Sequence, residues 1–164
     1  MEQRIKKLAQ KLGSILQQKG LYVSTVESCT GGGIAYAITS VSGSSSWFNQ
    51  GYVTYSNEAK HSLVGVNENT LQNFGAVSQQ TVEEMASGCR EKSGADLAVS
   101  VSGIAGPTGG TDEKPVGTVW MGISRRDGKV ISRRYLFDGD RDSVRMQTII
   151  CALEALIDSA GELS

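Results

Sequence analysis

Histidine is almost missing from this chain: His61 is the only one in 164 residues. A histidine-rich metal site is therefore impossible. Cysteine is sparse as well. Cys29, Cys89 and Cys151 are odd in number, widely spaced and without a CxxC pair. That usage points to a reduced, cytoplasmic protein rather than a disulfide-stapled secreted one. No apolar run approaches the roughly 20 residues of a membrane helix, and the N-terminus has no signal-peptide core. Excess charge of one sign is absent too, with 16 Lys and Arg against 17 Asp and Glu. A chain so balanced lacks the basic surface that nonspecific nucleic-acid or membrane binding requires. A small anionic ligand needs only a local patch and stays open.

Glycine, in contrast, is abundant, at 20 of 164 residues against an average near 7%. It gathers in two loops rather than forming a diffuse linker. The length suits one domain, here residues 1–164, and alternating helical and strand signals place it in the α/β class.

Residues 3–19 carry Ile5, Leu8, Ala9, Leu12, Ile15 and Leu16 at helical spacing, with Gly20 as the stop. A strand is expected over 21–26, a second over 51–56, and a short helix from Asn57 to Leu63. Trp47 and Phe48 belong to the core or, alternatively, to a subunit interface. Residues 78–93 form an amphipathic helix, in which Thr81 to Glu84 has capping-box spacing and Cys89 is a core residue. Residues 96–102 are apolar enough for a central, parallel strand. Two further strands, 116–124 and 129–137, flank an Asp127-Gly128 hairpin turn, so the sheet is mixed. Arg125, Arg126, Arg133 and Arg134 fit a solvated hairpin better than a nucleic-acid patch. A last helix runs from about Arg141 to Ala160, with Ile149, Ala152, Leu153, Leu156 and Ile157 on its apolar stripe. Arg141 and Arg145 sit in its first turns, where cations are disfavoured. Either a bound anion or the neighbouring Asp138, Asp140 and Asp142 must offset that cost.

Chemistry concentrates at Glu27-Ser28-Cys29-Thr30-Gly31-Gly32-Gly33, between the first strand and a helix-like segment, Ile34 to Thr39. Glycines allow a tight turn and close approach to a ligand, and amides at the helix start can trap an oxyanion. The bland alternative is a helix cap on a glycine-rich turn. The strand over 96–102 also ends in small residues, Gly103 to Gly110. In open α/β sheets ligands lie beyond the carboxyl ends of the strands, so the two loops can share one pocket. A nucleophilic Ser28 needs a base: Lys60, His61 or a carboxylate. A serine–lysine pair requires a neutral, desolvated amine. Tyr55 could orient that amine or relay a proton. A Cys29–His61 pair is the rival. Thr30-Gly31-Gly32-Gly33 lacks the Gly-Lys-Ser/Thr ending of a Walker loop, which disfavours an NTPase.

Five blocks, taken together, resemble the CinA C-terminal-domain family. They are Val26 to Gly32, Thr54 to Lys60, Gly75 to Ser78, Ser102 to Pro107 with Gly109-Gly110 and Lys114 to Val119, and Gly139 to Arg141 with Arg145. The resemblance covers nearly the whole chain and implies a stand-alone member. It implies a three-layer α/β/α sandwich with a mixed, mostly parallel sheet and one antiparallel hairpin. The implied activity is amide hydrolysis of nicotinamide mononucleotide (NMN), giving nicotinate mononucleotide and ammonia in pyridine-nucleotide salvage. Ser28 is the implied nucleophile and Lys60 the base, with Tyr55 beside it. No metal or cofactor is required, and a homo-oligomer is expected. Thr30, Gly31 and Gly32 are then the expected oxyanion donors. Ser102, Gly103, Ala105 and Gly106, with Arg141 or Arg145, are the expected phosphate contacts. A non-catalytic nucleotide-binding or regulatory paralogue is the alternative.

Overall fold

A computed structural model describes residues 1–164. Five strands form one open sheet in the order β2-β1-β3-β4-β5. They are β1 (Val23–Glu27), β2 (Phe48–Val53), β3 (Leu97–Gly103), β4 (Thr118–Arg125) and β5 (Val130–Leu136). β1 pairs in parallel with both β2 and β3, whereas β4 runs antiparallel to β3 and to β5. Four strands thus point one way and only β4 opposes them, so the sheet is mixed, with two parallel and two antiparallel pairings. Helices α1 (Glu2–Lys19), α2 (Gly33–Thr39) and α6 (Arg141–Glu162) cover one face. Helices α3 (Asn57–Val64), α4 (Glu68–Phe74) and α5 (Gln79–Ser93) form the other layer. The result is a three-layer α/β/α sandwich. No helix is long and apolar enough to cross a membrane.

β1 and β3 are central and buried on both faces, so their side chains are apolar or small, except for Glu27 at the end of β1. Leu12, Leu16, Ile34, Val99, Val101, Leu153 and Leu156 share the larger core, under α1, α2 and α6. Val26, Val64, Val82, Met85, Cys89 and Ala98 form a smaller one under α5. Trp47 is a core residue, only 3% exposed. Gly13 leaves α1 open to it: a Cβ there would lie 2.7 Å from the indole. Gly88 likewise brings α5 against the end of α3, since a Cβ there would meet the Val64 carbonyl oxygen.

Three expectations need correcting. The second strand is Phe48–Val53, not 51–56. Its polar start, Asn49-Gln50, is tolerated because β2 is an edge strand and these residues face solvent. Thr54 to Ser56 leave the sheet so that Ser56 can cap α3, accepting from the Ala59 amide. The cap of α5 is Ser78, whose hydroxyl accepts from the Thr81 amide. Thr81 instead donates to the Gly75 carbonyl, so the Thr81–Glu84 spacing is no capping box. Arg125 is buried rather than solvated, and its guanidinium clips the hairpin turn at Asp127 to Glu162 of α6. Nor are the four arginines one patch: Arg126 pairs with Asp96, Arg133 lies over the Tyr135 ring, and Arg134 donates to the Glu113 carbonyl.

Candidate active site

The carboxyl ends of β1, β2 and β3 lie side by side because the three strands are parallel neighbours. Each runs straight into a chemically loaded segment. β1 leads to Ser28, β2 to Thr54 and on to Lys60, and β3 to the Ile104-Ala105-Gly106 loop. The ends are stitched together by main-chain bonds. The Ser28 amide donates to the Val101 carbonyl at 3.1 Å, and the Thr54 amide to the Glu27 carbonyl at 2.7 Å.

Lys60 lies in the first turn of α3 and is only 1% exposed. Its Nζ lies 3.1 Å from Ser28 Oγ and donates to the Thr54 carbonyl at 2.9 Å. Burial holds the amine below its ordinary value, because desolvation penalises the ammonium. No carboxylate pairs with it. A lysine so placed keeps a larger neutral fraction, which is what proton abstraction from a hydroxyl requires. Ser28 is itself buried, at 8% exposure.

The glycine run does two different things. Gly31 and Gly32 take positive φ values, 59° and 104°, which turn the chain back on itself. Gly33 instead admits a neighbour: a Cβ there would lie 2.6 Å from the Ile149 side chain of α6. The amides divide accordingly. Gly31 donates to the Ser28 carbonyl and Gly33 to that of Thr30. Gly31 is thus spent within the turn, contrary to its expected oxyanion role. The amides of Cys29, Thr30 and Gly32 donate to no protein group. Cys29, the residue after the serine, was not among the expected donors. Its amide had no sequence signal beyond its place in the turn.

Other site residues are placed as follows. Thr30 is buried and its hydroxyl donates to the Glu27 carboxylate, so only its amide is free. The Tyr55 hydroxyl accepts from Arg141 Nη2 at 2.9 Å and makes no bond to Lys60. Arg141 Nη1 donates to the Gly106 carbonyl at 2.8 Å, and Arg145 Nη2 to the Thr30 carbonyl at 3.1 Å. Neither arginine pairs with Asp138, Asp140 or Asp142, so the aspartate-pairing alternative fails. Each guanidinium keeps most of its five N–H donors unspent. Ser102 and Gly103 close β3. Ser102 is buried, and Gly103 is pressed so tightly on β4 that a Cβ would lie 2.8 Å from the Thr118 carbonyl oxygen. Ala105, Pro107, Val116 and Arg141 line an open cavity of about 580 Å³ at the start of α6.

The rival Cys29–His61 pair is not assembled. Burial pushes the Cys29 thiol up to about 12, so it stays protonated near neutrality. His61 Nδ1 lies 2.8 Å from the Val66 carbonyl and Nε2 is 3.4 Å from Glu68, with no bond to Cys29. Sequence reasoning missed two participants. The Thr54 carbonyl that holds Lys60 is a main-chain group with no side-chain signature. The Glu27 carboxylate is fully buried and collects the Ile34 and Ala35 amides at 2.8 and 3.0 Å; a charged residue ending a strand gives no sign of that.

Residues 5–160 match the sequence profile of the family described as CinA C-terminal domain. Among curated proteins, the chain is 54% identical over 156 residues to a protein of Enterobacter agglomerans named nicotinamide-nucleotide amidohydrolase PncC, covering 95% of each chain. It is 51% identical over 155 residues to the protein of that name from Escherichia coli strain K12, covering 94% of each. Among solved structures, the competence/damage inducible protein CihA of Agrobacterium tumefaciens superimposes with a TM-score of 0.94 at 45% identity, over 97% of this chain and 96% of that one.

Proposed function

The chain belongs to the CinA C-terminal domain family, and from that premise we propose that it hydrolyses the carboxamide of NMN through a serine–lysine pair. The reaction class is that of its relatives, amidohydrolases by name at 51 and 54% identity over almost the full length of both partners. The mechanism rests on one observation: a buried lysine amine, free of any carboxylate and 3.1 Å from a serine hydroxyl at a glycine turn.

Ser28 Oγ attacks the carboxamide carbon while Lys60 takes its proton. The negative charge that develops on the carbonyl oxygen is met by turn amides, with those of Cys29, Thr30 and Gly32 unspent. Each such donor lowers the barrier by about 3–4 kcal/mol. Lys60 then protonates the departing nitrogen, which leaves as ammonia. Water, deprotonated by the same amine, cleaves the nicotinoyl ester and releases nicotinate mononucleotide. The uncompensated guanidiniums of Arg141 and Arg145 suit the phosphate, which accepts planar forked donors well. Tyr55, tied to Arg141 rather than Lys60, belongs to that substrate-binding side in this reading. A homo-oligomer is part of the same proposal and is read by sedimentation equilibrium.

Ammonia release from NMN is the test. Ser28→Ala and Lys60→Ala must each abolish turnover while leaving the protein folded. Binding of NMN without ammonia release by the wild-type protein would identify a regulatory module instead.

A further inference from the structure

Glu27 is the one acidic side chain that the reaction above does not use and that the fold has nonetheless buried completely. Building on the serine–lysine reading, we infer that Glu27 is the positioning residue of the reactive turn. Its carboxylate shapes the oxyanion-binding amides, and its main chain sets the lysine against the serine.

The connections run in two directions. The carboxylate bonds three groups across the turn: the Thr30 hydroxyl at 2.5 Å, the Ile34 amide at 2.8 Å and the Ala35 amide at 3.0 Å. These bonds close residues 27–35 into a ring around Ser28. Gly32, at the cap position of α2, supplies no side chain of its own, so Glu27 caps the helix from the strand. Glu27 takes the amides of Ile34 and Ala35, while those of Cys29, Thr30 and Gly32 in the same turn are unspent. The Thr30 bond fixes the peptide between two of those donors. In the other direction, the Glu27 carbonyl accepts from the Thr54 amide at 2.7 Å, and the Thr54 carbonyl accepts from Lys60 Nζ at 2.9 Å. One residue is therefore bonded to both halves of the site.

A buried carboxylate is costly, and a helix of seven residues could be capped by a serine or asparagine at position 32 far more cheaply. No cation pairs with Glu27 to offset that cost. What the carboxylate alone supplies is three acceptor bonds spread over six residues of the turn. Catalysis by preorganised donors depends on that kind of rigidity, because donors already aimed need no reorganisation in the transition state.

The test compares Glu27→Gln, Thr30→Val, Thr30→Ser and Ser28→Ala in the full chain, by NMN turnover and thermal unfolding. Glutamine keeps the shape but turns an N–H donor toward an amide donor. Glu27→Gln is expected to lower kcat on the order of a hundredfold with KM nearly unchanged, since the donors act in the transition state. Thr30→Val, which loses one hydrogen bond, is expected to lower kcat on the order of tenfold, and Thr30→Ser, which keeps the hydroxyl, to restore most of it. Wild-type kcat in Glu27→Gln alongside a dead Ser28→Ala would overturn the role of Glu27 and leave the dyad standing. So would equal damage from valine and serine at position 30, or a rise in KM with kcat intact. Turnover by Ser28→Ala would remove the dyad and the role of Glu27 with it. Should Glu27→Gln fail to fold, the Thr30 pair decides the matter.

Discussion

Lys60 is the residue on which burial and the proposed reactivity meet. Its amine is held below the ordinary 10.5 by desolvation, so the folded protein binds fewer protons than the unfolded chain between those two values. As pH falls through that window the native state loses stability, and above 10.5 both forms are neutral and the difference vanishes. Lys60→Met removes the buried amine at similar length. The variant should therefore be inactive yet more resistant to urea near neutrality, with its advantage over wild type shrinking as pH approaches 10.5. Parallel urea melts across that range measure it, and an advantage that grew with pH would contradict the desolvated lysine. Cys29 provides the matching control. With its thiol pushed up to about 12, it is no nucleophile at neutral pH, so Cys29→Ala should keep most of its turnover in the same ammonia assay.

Among the elements, α3 matters most, because it carries Lys60 while resting on α5. Their approach depends on Gly88, where a Cβ would fall 1.8 Å from the Val64 carbonyl oxygen. Backbone cannot yield as a side-chain tip can. Gly88→Ala should destabilise the fold by about 1–3 kcal/mol and lower kcat as α3 shifts, measurable by urea melts and steady-state rates together. The elements themselves were largely legible in the sequence. α1 and α6 carry clear apolar stripes, and β3 is a buried run closed by glycine. β2 was misplaced because an exposed edge strand needs no apolar alternation. The site was legible only in part. Ser28 and its glycines are contiguous, so their turn could be read from local chemistry. Lys60 reaches Ser28 across 32 positions, a tertiary contact that no spacing rule encodes. The bonds of Arg141 and Arg145 to main-chain carbonyls leave no trace in residue identity.

Across the whole molecule, the site joins distant parts of the chain. The first strand supplies the serine, the third helix the amine, and the last helix two guanidiniums that reach back to Gly106 and Thr30. The two arginines occupy different places. Arg145 meets the reactive turn, and a Cβ on Gly31 would lie 3.1 Å from its Nη2. Arg141 stands at the open cavity lined by Ala105 and Pro107, bonded to Tyr55. Because the two guanidiniums hold different partners, substrates with and without the phosphate can tell their roles apart. Nicotinamide riboside carries the same amide as NMN without the phosphate. If Arg141 holds the phosphate, Arg141→Ala should lower kcat/KM for NMN on the order of a hundredfold, as for a charge-assisted bidentate contact of about 3 kcal/mol. The same substitution should leave the rate on the riboside almost unchanged. Arg145→Ala should slow both substrates, because it also frees the Thr30 carbonyl and loosens the turn that aims the oxyanion donors. Equal losses on both substrates for Arg141→Ala, with phosphate-selective loss for Arg145→Ala, would exchange the two assignments. Such a reversal would place the phosphate against the glycine turn instead of the cavity beyond β3.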